Sequence, residues 1–258
     1  MKKFFAVLLI FAACVLTACG TQSAGNVLVI GIDDEFAPLA FRDESGQLVG
    51  FDIDLASETA KRMGVTFKFK PIDWNNKREE ITSGNVDIIW NGLDINDERR
   101  EYMIFSKPYM EDRQVLLVKT GNAQGLRSES DLSGKIVGVQ AGANSETFIN
   151  ADDKLKAELK VFKTYAKFGK AVDALKRGEI EVFVCDEMVA RYEMHAQPDQ
   201  FELVPLLSGE VTEMGIGFRK DDVALRDRVQ AAFDEIVRDG TAKKISEKWF
   251  EADLISFK

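Results

Sequence analysis

Short apolar runs of strand-like composition alternate along the chain with stretches of helical spacing. Val27 to Ile32 is a β-rich apolar run. From Ile53 to Met63 apolar residues recur at helical spacing and stop at Gly64, a residue that closes helices because it tolerates a left-handed backbone. Val65 to Phe69 alternates like a strand, Lys77 to Ser83 reads as a helix halted by Gly84, and Val86 to Trp90 reads as a buried strand. A second series begins near Val115, with strands over Val115–Val118, Ile136–Gln140 and Val161–Lys163 and a helix from about Asn144. A helix over Gly169–Arg177 and a strand over Ile180–Cys185 complete that series, and Leu225 to Phe250 forms an amphipathic helical tail. This rhythm predicts an α/β fold of mainly parallel sheets with helices on both faces. At 258 residues the chain sits where single cores stop growing, so two α/β units fit better than one continuous sheet.

The N-terminus breaks the rhythm. Lys2 and Lys3 precede Phe4 to Leu16, a thirteen-residue apolar run. That run is too short for a helix to span a bilayer, which takes roughly 20 residues. A basic start, a short apolar core and small residues beyond it mark a secretory signal. The run ends in Leu16-Thr17-Ala18-Cys19, which is similar to the lipobox of bacterial lipoproteins. The reading is therefore a signal peptide over 1–18, lipidation at Cys19 and a polar tether over 19–25. Several acyl chains make a stable anchor where one would be marginal.

Composition narrows the chemistry. The formal charge is −9, or −11 once Lys2 and Lys3 leave with the signal, which disfavours nucleic acid and anionic membrane as partners. One histidine and three cysteines exclude a Cys/His zinc site, and neither a metal nor a cofactor is expected. With Cys14 removed and Cys19 lipidated, Cys185 stands alone, so no internal disulfide forms. It lies in the apolar run Val182-Phe183-Val184-Cys185 and reads as a core residue. His195 lies in a polar stretch, without a serine or cysteine partner for nucleophilic catalysis, and Gly134-Lys135-Ile136 lacks the rest of a phosphate loop.

A series of collinear segments carries a resemblance. It runs through Gly31-Ile32-Asp33-Asp34-Glu35-Phe36-Ala37-Pro38, Gly50-Phe51-Asp52-Ile53-Asp54-Leu55, Asn96-Asp97-Glu98-Arg99 and Phe105-Ser106-Lys107-Pro108-Tyr109. It continues through Asp131-Leu132-Ser133-Gly134, Met214-Gly215-Ile216-Gly217-Phe218, Asp239-Gly240-Thr241 and Lys248-Trp249-Phe250. In this order the segments resemble the family-three solute-binding proteins, amino-acid-capturing subunits of bacterial ABC importers. The resemblance implies an α/β, two-lobe periplasmic-binding-protein fold of type II, each lobe a mixed, mostly parallel sheet flanked by helices. Lobe 1 would span about 26–109 plus 214–258 and lobe 2 about 114–209, joined by two hinge strands at 110–113 and 210–213. The implied protein is a monomer outside the cytoplasmic membrane. It touches that membrane only through its lipid and serves a permease and its ATPase.

The same resemblance implies a ligand site between the lobes. Arg99 matches the arginine that grips an α-carboxylate, a task suited to its planar two-pronged donor. Asp186, after the strand ending at Cys185, matches the aspartate that pairs with the α-ammonium. Gly92 is expected to allow a close backbone approach. Ala143 and Asn144 would offer backbone N–H groups at a helix start, with Asn144 as a plausible helix cap. Phe36 and Trp74 match aromatic walls, and Asp33 matches a position near the ligand's side chain, while Asp34 and Glu35 read as solvated. The family usually has Ser or Thr where this chain has Asp94, Ala143 and Asn96. Arg99 against Asp33, Asp94 and Asp186 gives a local charge of −2, which, within a cationic or polar class of ligand, favours lysine, arginine or ornithine over glutamate or aspartate. The alternative from another class is a cyclohexadienyl or arogenate dehydratase on the same fold, with Asp94 as proton donor.

Overall fold

Two five-stranded sheets dominate the computed structural model, which describes residues 27–206 and 211–256. The signal segment, Cys19 and the tether lie outside the described residues, as do parts of the predicted lobe 2 and second hinge at 207–210. In the first sheet the order is Thr66–Pro71, Val27–Ile32, Ile88–Ile89, Gly217–Arg219, Met103–Phe105. In the second it is Val161–Tyr165, Ile136–Gln140, Val182–Asp186, Gln114–Lys119, Phe201–Pro205. Each sheet thus has three adjacent parallel strands followed by one strand running against them: Gly217–Arg219 in the first, Gln114–Lys119 in the second. The sheets are mixed and mostly parallel. Their parallel strands are apolar because helices cover both faces; Val182–Asp186, for instance, is buried at every position.

Helices start and stop where backbone chemistry allows. Phe51–Met63 begins two residues before its predicted start, with Asp52 and Asp54 in the first turn, where the positive end of the helix dipole favours them, and ends at left-handed Gly64. The tail is not one helix. It divides into Val223–Arg238 and Thr241–Phe250, because Gly240 takes φ 79° between them. Within Val86–Trp90 only Ile88–Ile89 is in the ladder, although Val86 and Trp90 are also buried. A small antiparallel meander of Glu35–Phe36, Ala40–Arg42 and Leu48–Val49 carries no predicted counterpart, its strands being too short for periodicity to show.

Between the sheets the chain passes through a two-stranded antiparallel ribbon, Met110–Asp112 against Thr212–Met214, with Asp112 opposite Thr212. Apolar packing also crosses from one sheet to the other. Phe36 meets Phe168 edge-to-face at 5.4 Å, and Phe168 lies 4.8 Å from Phe183, within one continuous core. Cys185 belongs to that core.

Candidate functional site

The parallel strands of both sheets deliver their carboxyl ends to one crevice, where open α/β sheets place their ligands. Asp33 follows Val27–Ile32, Trp74 follows Thr66–Pro71, and Asn91 and Gly92 follow Ile88–Ile89. From the second sheet, Ala143 and Asn144 follow Ile136–Gln140, and Asp186 ends Val182–Asp186. These residues, with Phe36, Asp94, Arg99 and Gln140, line a single narrow cavity. All nine residues expected at the site reach it. Asn91 and Gln140 were not expected there; Gln140 closes a strand and reads locally as nothing more.

Arg99 sits in the last turn of the short helix Asp97–Arg100, whose start is capped by Asn96 accepting from the Arg99 amide at 2.9 Å. The residue is 2 % exposed, and Nη1 donates to the Asp94 carbonyl at 2.7 Å. Nη2 reaches the Gly142 carbonyl, from the opposite sheet, at 3.3 Å. The Asp94 carboxylate lies 3.7 Å from Nη1 and accepts from the Thr212 hydroxyl at 2.7 Å, which ties it to the ribbon. Burial raises the Asp94 carboxyl above its ordinary range, and the guanidinium only partly opposes this.

Asp186 occupies the cap position of helix Glu187–Ala196, but its side chain does not cap it. It accepts instead from the Gln114 amide, which also donates to Asp112 at 3.1 Å. Three carboxylates therefore gather around one end of the cavity with Arg99 as their countercharge. Desolvation, then the proximity of Asp94, pushes Asp186 up to about 7. Burial, then Asp186, pushes Asp112 well above the carboxylate range. A buried Oδ1 of Asp112 and the Oε1 of Gln114 have no partner there. That end of the cavity is short of donors.

The other end is satisfied internally. Asp33, 1 % exposed, accepts from its neighbour Glu35's amide at 3.0 Å and from Lys167 Nζ at 2.9 Å, while Gln140 Nε2 donates to its other oxygen. Lys167 also reaches Asp34 and the Ile72 carbonyl, each at 3.3 Å. The expected charge of −2 omitted this lysine: with Lys167 on Asp33 the acid is compensated from the opposite sheet. Asp34 is likewise not free in solvent, being half-buried and bonded to Arg42 at 2.9 Å.

Three further expectations change in detail. Gly92 takes φ 53°, and a Cβ there would lie 2.7 Å from Phe36 and 2.6 Å from Leu39, so its close approach is to the aromatic wall. Its amide donates to buried Asp52, which desolvation raises to about 7 and which also accepts from the Tyr109 hydroxyl at 2.9 Å. Ala143, not Asn144, is the cap residue of helix Asn144–Ala151. The amides near that helix start are partly used already: Gly142 donates to Glu146 at 2.6 Å and Ala143 to the Gln140 carbonyl at 3.3 Å. Buried Lys77, for which no role was expected, donates across the cleft to the Gly142 carbonyl at 2.6 Å, and desolvation, then Arg99, lowers it to about 7.

Known proteins resemble this chain in sequence and fold. The L-cystine-binding protein TcyJ of Escherichia coli (strain K12) is 30% identical over 232 residues, covering 89% of this chain and 84% of that protein. A substrate-binding protein of an ABC uptake transporter from Streptococcus pneumoniae, solved with bound histidine, superposes with a TM-score of 0.84 at 34% identity. That alignment covers 90% of this chain and 95% of the other. An ancestral arginine-binding protein bound to arginine gives 0.80 at 37% identity, over 87% of this chain and 98% of the other. These neighbours share the two-lobed periplasmic-binding-protein fold of type II, and those named here are binding proteins. Residues 28–252 match the bacterial extracellular solute-binding proteins, family 3, and the chain belongs to that family.

Proposed function

We propose that this protein captures a free amino acid outside the cytoplasm and delivers it to the permease and ATPase of an ABC importer. The observation that carries the reading is the meeting of Arg99 and Asp186, opposite charges supplied by different sheets, over one buried cavity. A free amino acid carries opposite charges one carbon apart, and enclosing it requires a partner for each. Arg99 takes the α-carboxylate. Asp186 takes the α-ammonium, which supplies the donors that this end of the cavity lacks. Residues 26–109 with 214–258 act as one lobe and 114–209 as the other, with 110–113 and 210–213 as the hinge. A ligand that touches both lobes favours the closed form by its differential affinity. Phe36 and Trp74 wall the side chain, and Gly92, Asp94, Ala143 and Asn144 complete the enclosure. The named ligands of the relatives are amino acids, which supports the class.

The protein is anchored through lipid on Cys19 after loss of residues 1–18. Mass spectrometry of the N-terminal peptide tests this, and an unmodified Cys19 overturns the anchor alone. The binding reading is tested by calorimetric titration of the mature protein with the twenty amino acids, cystine and ornithine. One tight amino-acid ligand is expected, and no heat with any of them would sink the proposal. The dehydratase alternative has less support, because Asp94 is engaged by Thr212 and faces Arg99. Incubation with prephenate or arogenate should give no aromatic product.

A further inference from the structure

The Asp33 end of the cavity has already found its cation. With Arg99 and Asp186 assigned to the α-groups, and Asp94 held by the Thr212 hydroxyl beside Arg99, the polar wall away from that cluster is formed by Asp33, Asn91 and Gln140, with Asn144 at the start of its helix. A basic ligand side chain entering there would need a buried carboxylate to itself, and Asp33 is the acid placed to give one. Both of its oxygens are occupied from the opposite sheet, one by Lys167 Nζ at 2.9 Å and the other by the Gln140 amide. Lys167 is not a passing surface lysine. It stands at the start of helix Phe168–Arg177, immediately before the buried Phe168 that packs on Phe36, so its backbone is fixed by the same inter-sheet contact. Its head group is held by three oxygens, those of Asp33, Asp34 and Ile72.

Resting on the amino-acid reading above, we propose that Lys167 is a resident countercharge that takes the place of a ligand cation on Asp33, so that the site selects an amino acid with an uncharged, hydrogen-bonding side chain. Binding lysine, arginine or ornithine would bring a second cation beside Lys167 with one aspartate between them, or would force Lys167 off Asp33 and out of the closed interface. Either course carries the cost of a poorly compensated charge at low dielectric. An acidic side chain would meet Asp33 itself. A neutral amide or hydroxyl meets the Gln140 and Asn91 side chains at no such cost, and selectivity comes from rejection of charge as much as from contacts made.

Calorimetric titration with glutamine, asparagine, serine, threonine, lysine, arginine, ornithine and glutamate tests this on the wild type, Lys167→Met and Asp33→Asn. Wild type should bind a neutral polar amino acid at least about 100-fold more tightly than any charged one. Lys167→Met leaves Asp33 without its cation and should shift the basic-to-neutral preference toward the basic ligands by at least about tenfold. Asp33→Asn leaves Lys167 without its acid and should raise the glutamate-to-glutamine ratio, which keeps the proposal testable if the methionine variant fails to fold. A charged amino acid as the best wild-type ligand overturns the inference while leaving the amino-acid reading intact, as does an unchanged preference in the folded variants. Binding of no amino acid at all overturns both.

Discussion

The two ends of the cleft solve opposite problems. Around Arg99, acidic groups from both sheets are gathered without enough donors: Asp186 and Asp112 share a single Gln114 amide, and both are raised in pKa by burial. Around Asp33 the charges are matched across the interface before any ligand arrives, by Lys167 and Gln140. The first end leaves carboxylates short of donors, and the second holds the two sheets together by itself. On the proposed reading, affinity comes from the α-groups, common to every amino acid, and discrimination from the matched end.

The contrast can be broken most severely at the α-end. Arg99→Ala or Asp186→Ala leaves one ligand charge buried and unpaired, costing about 2–5 kcal/mol, or roughly 30- to several-thousand-fold in affinity by calorimetry. If both variants keep wild-type affinity, the assignment of the α-groups is wrong. Next in size is Gly142→Ala. A Cβ at Gly142, where φ is 73°, would lie 2.8 Å from the Asn75 backbone of the opposite sheet. Crowding of this kind costs about 1–3 kcal/mol, or roughly 5- to 150-fold in affinity. The left-handed φ also strains alanine, so the apo melting temperature should fall somewhat, and the loss of affinity should exceed that fall because the obstacle arises between the sheets.

The pH response sharpens the comparison further. Burial raises Asp186 to about 7, so it holds its proton below that value. A bound α-ammonium favours the ionised form, and binding must therefore expel a proton at and below pH 7. Affinity should fall as pH drops through 7 toward 6, by at most about tenfold per unit. Proton release should show as a binding heat that differs between buffers of unlike ionisation enthalpy; identical heats would exclude titration of Asp186. The smallest expected effect is at the matched end. Asp34 is half-buried, and its contact to Lys167 is long at 3.3 Å. Asp34→Ala should change affinity by about twofold or less, as usual for ion pairs open to solvent; a tenfold loss would mean that Asp34, not Asp33, fixes Lys167.

What was legible in the sequence follows the range over which each signal acts. Asp186 could be read because an unbroken apolar run precedes it, and such runs end at the edge of a buried sheet. Arg99 and the aromatic positions came from collinear segments rather than from periodicity. Lys167, Lys77 and Gln114 were illegible for a common reason. Each is an ordinary polar residue whose meaning depends on a partner far along the chain, 134 positions for Lys167 and Asp33, 65 for Lys77 and Gly142, and 72 for Gln114 and Asp186. The charge count failed there because it summed predicted residues and had no means of adding an unpredicted one. Among the elements, Gly240 lay in a recognised segment, yet helical spacing on either side concealed its break. The reversed strand Gln114–Lys119 was predicted as a strand, but direction is set by pairing, which no local pattern contains.

Cys185 is the one cysteine among the described residues, 2 % exposed, and burial, then Asp186 and Asp112, raises its thiol well above the ordinary value. A thiol kept protonated and shielded reacts slowly with alkylating dyes. A soluble form beginning after Cys19 is therefore chemically silent toward maleimides. Glu35 and Lys170 face each other across the sheets at 4.0 Å. Cysteines introduced at these two positions would accept a fluorophore and a quencher without competition from the native thiol, and on the proposed closing of the lobes the pair would make a reagentless optical sensor for the ligand.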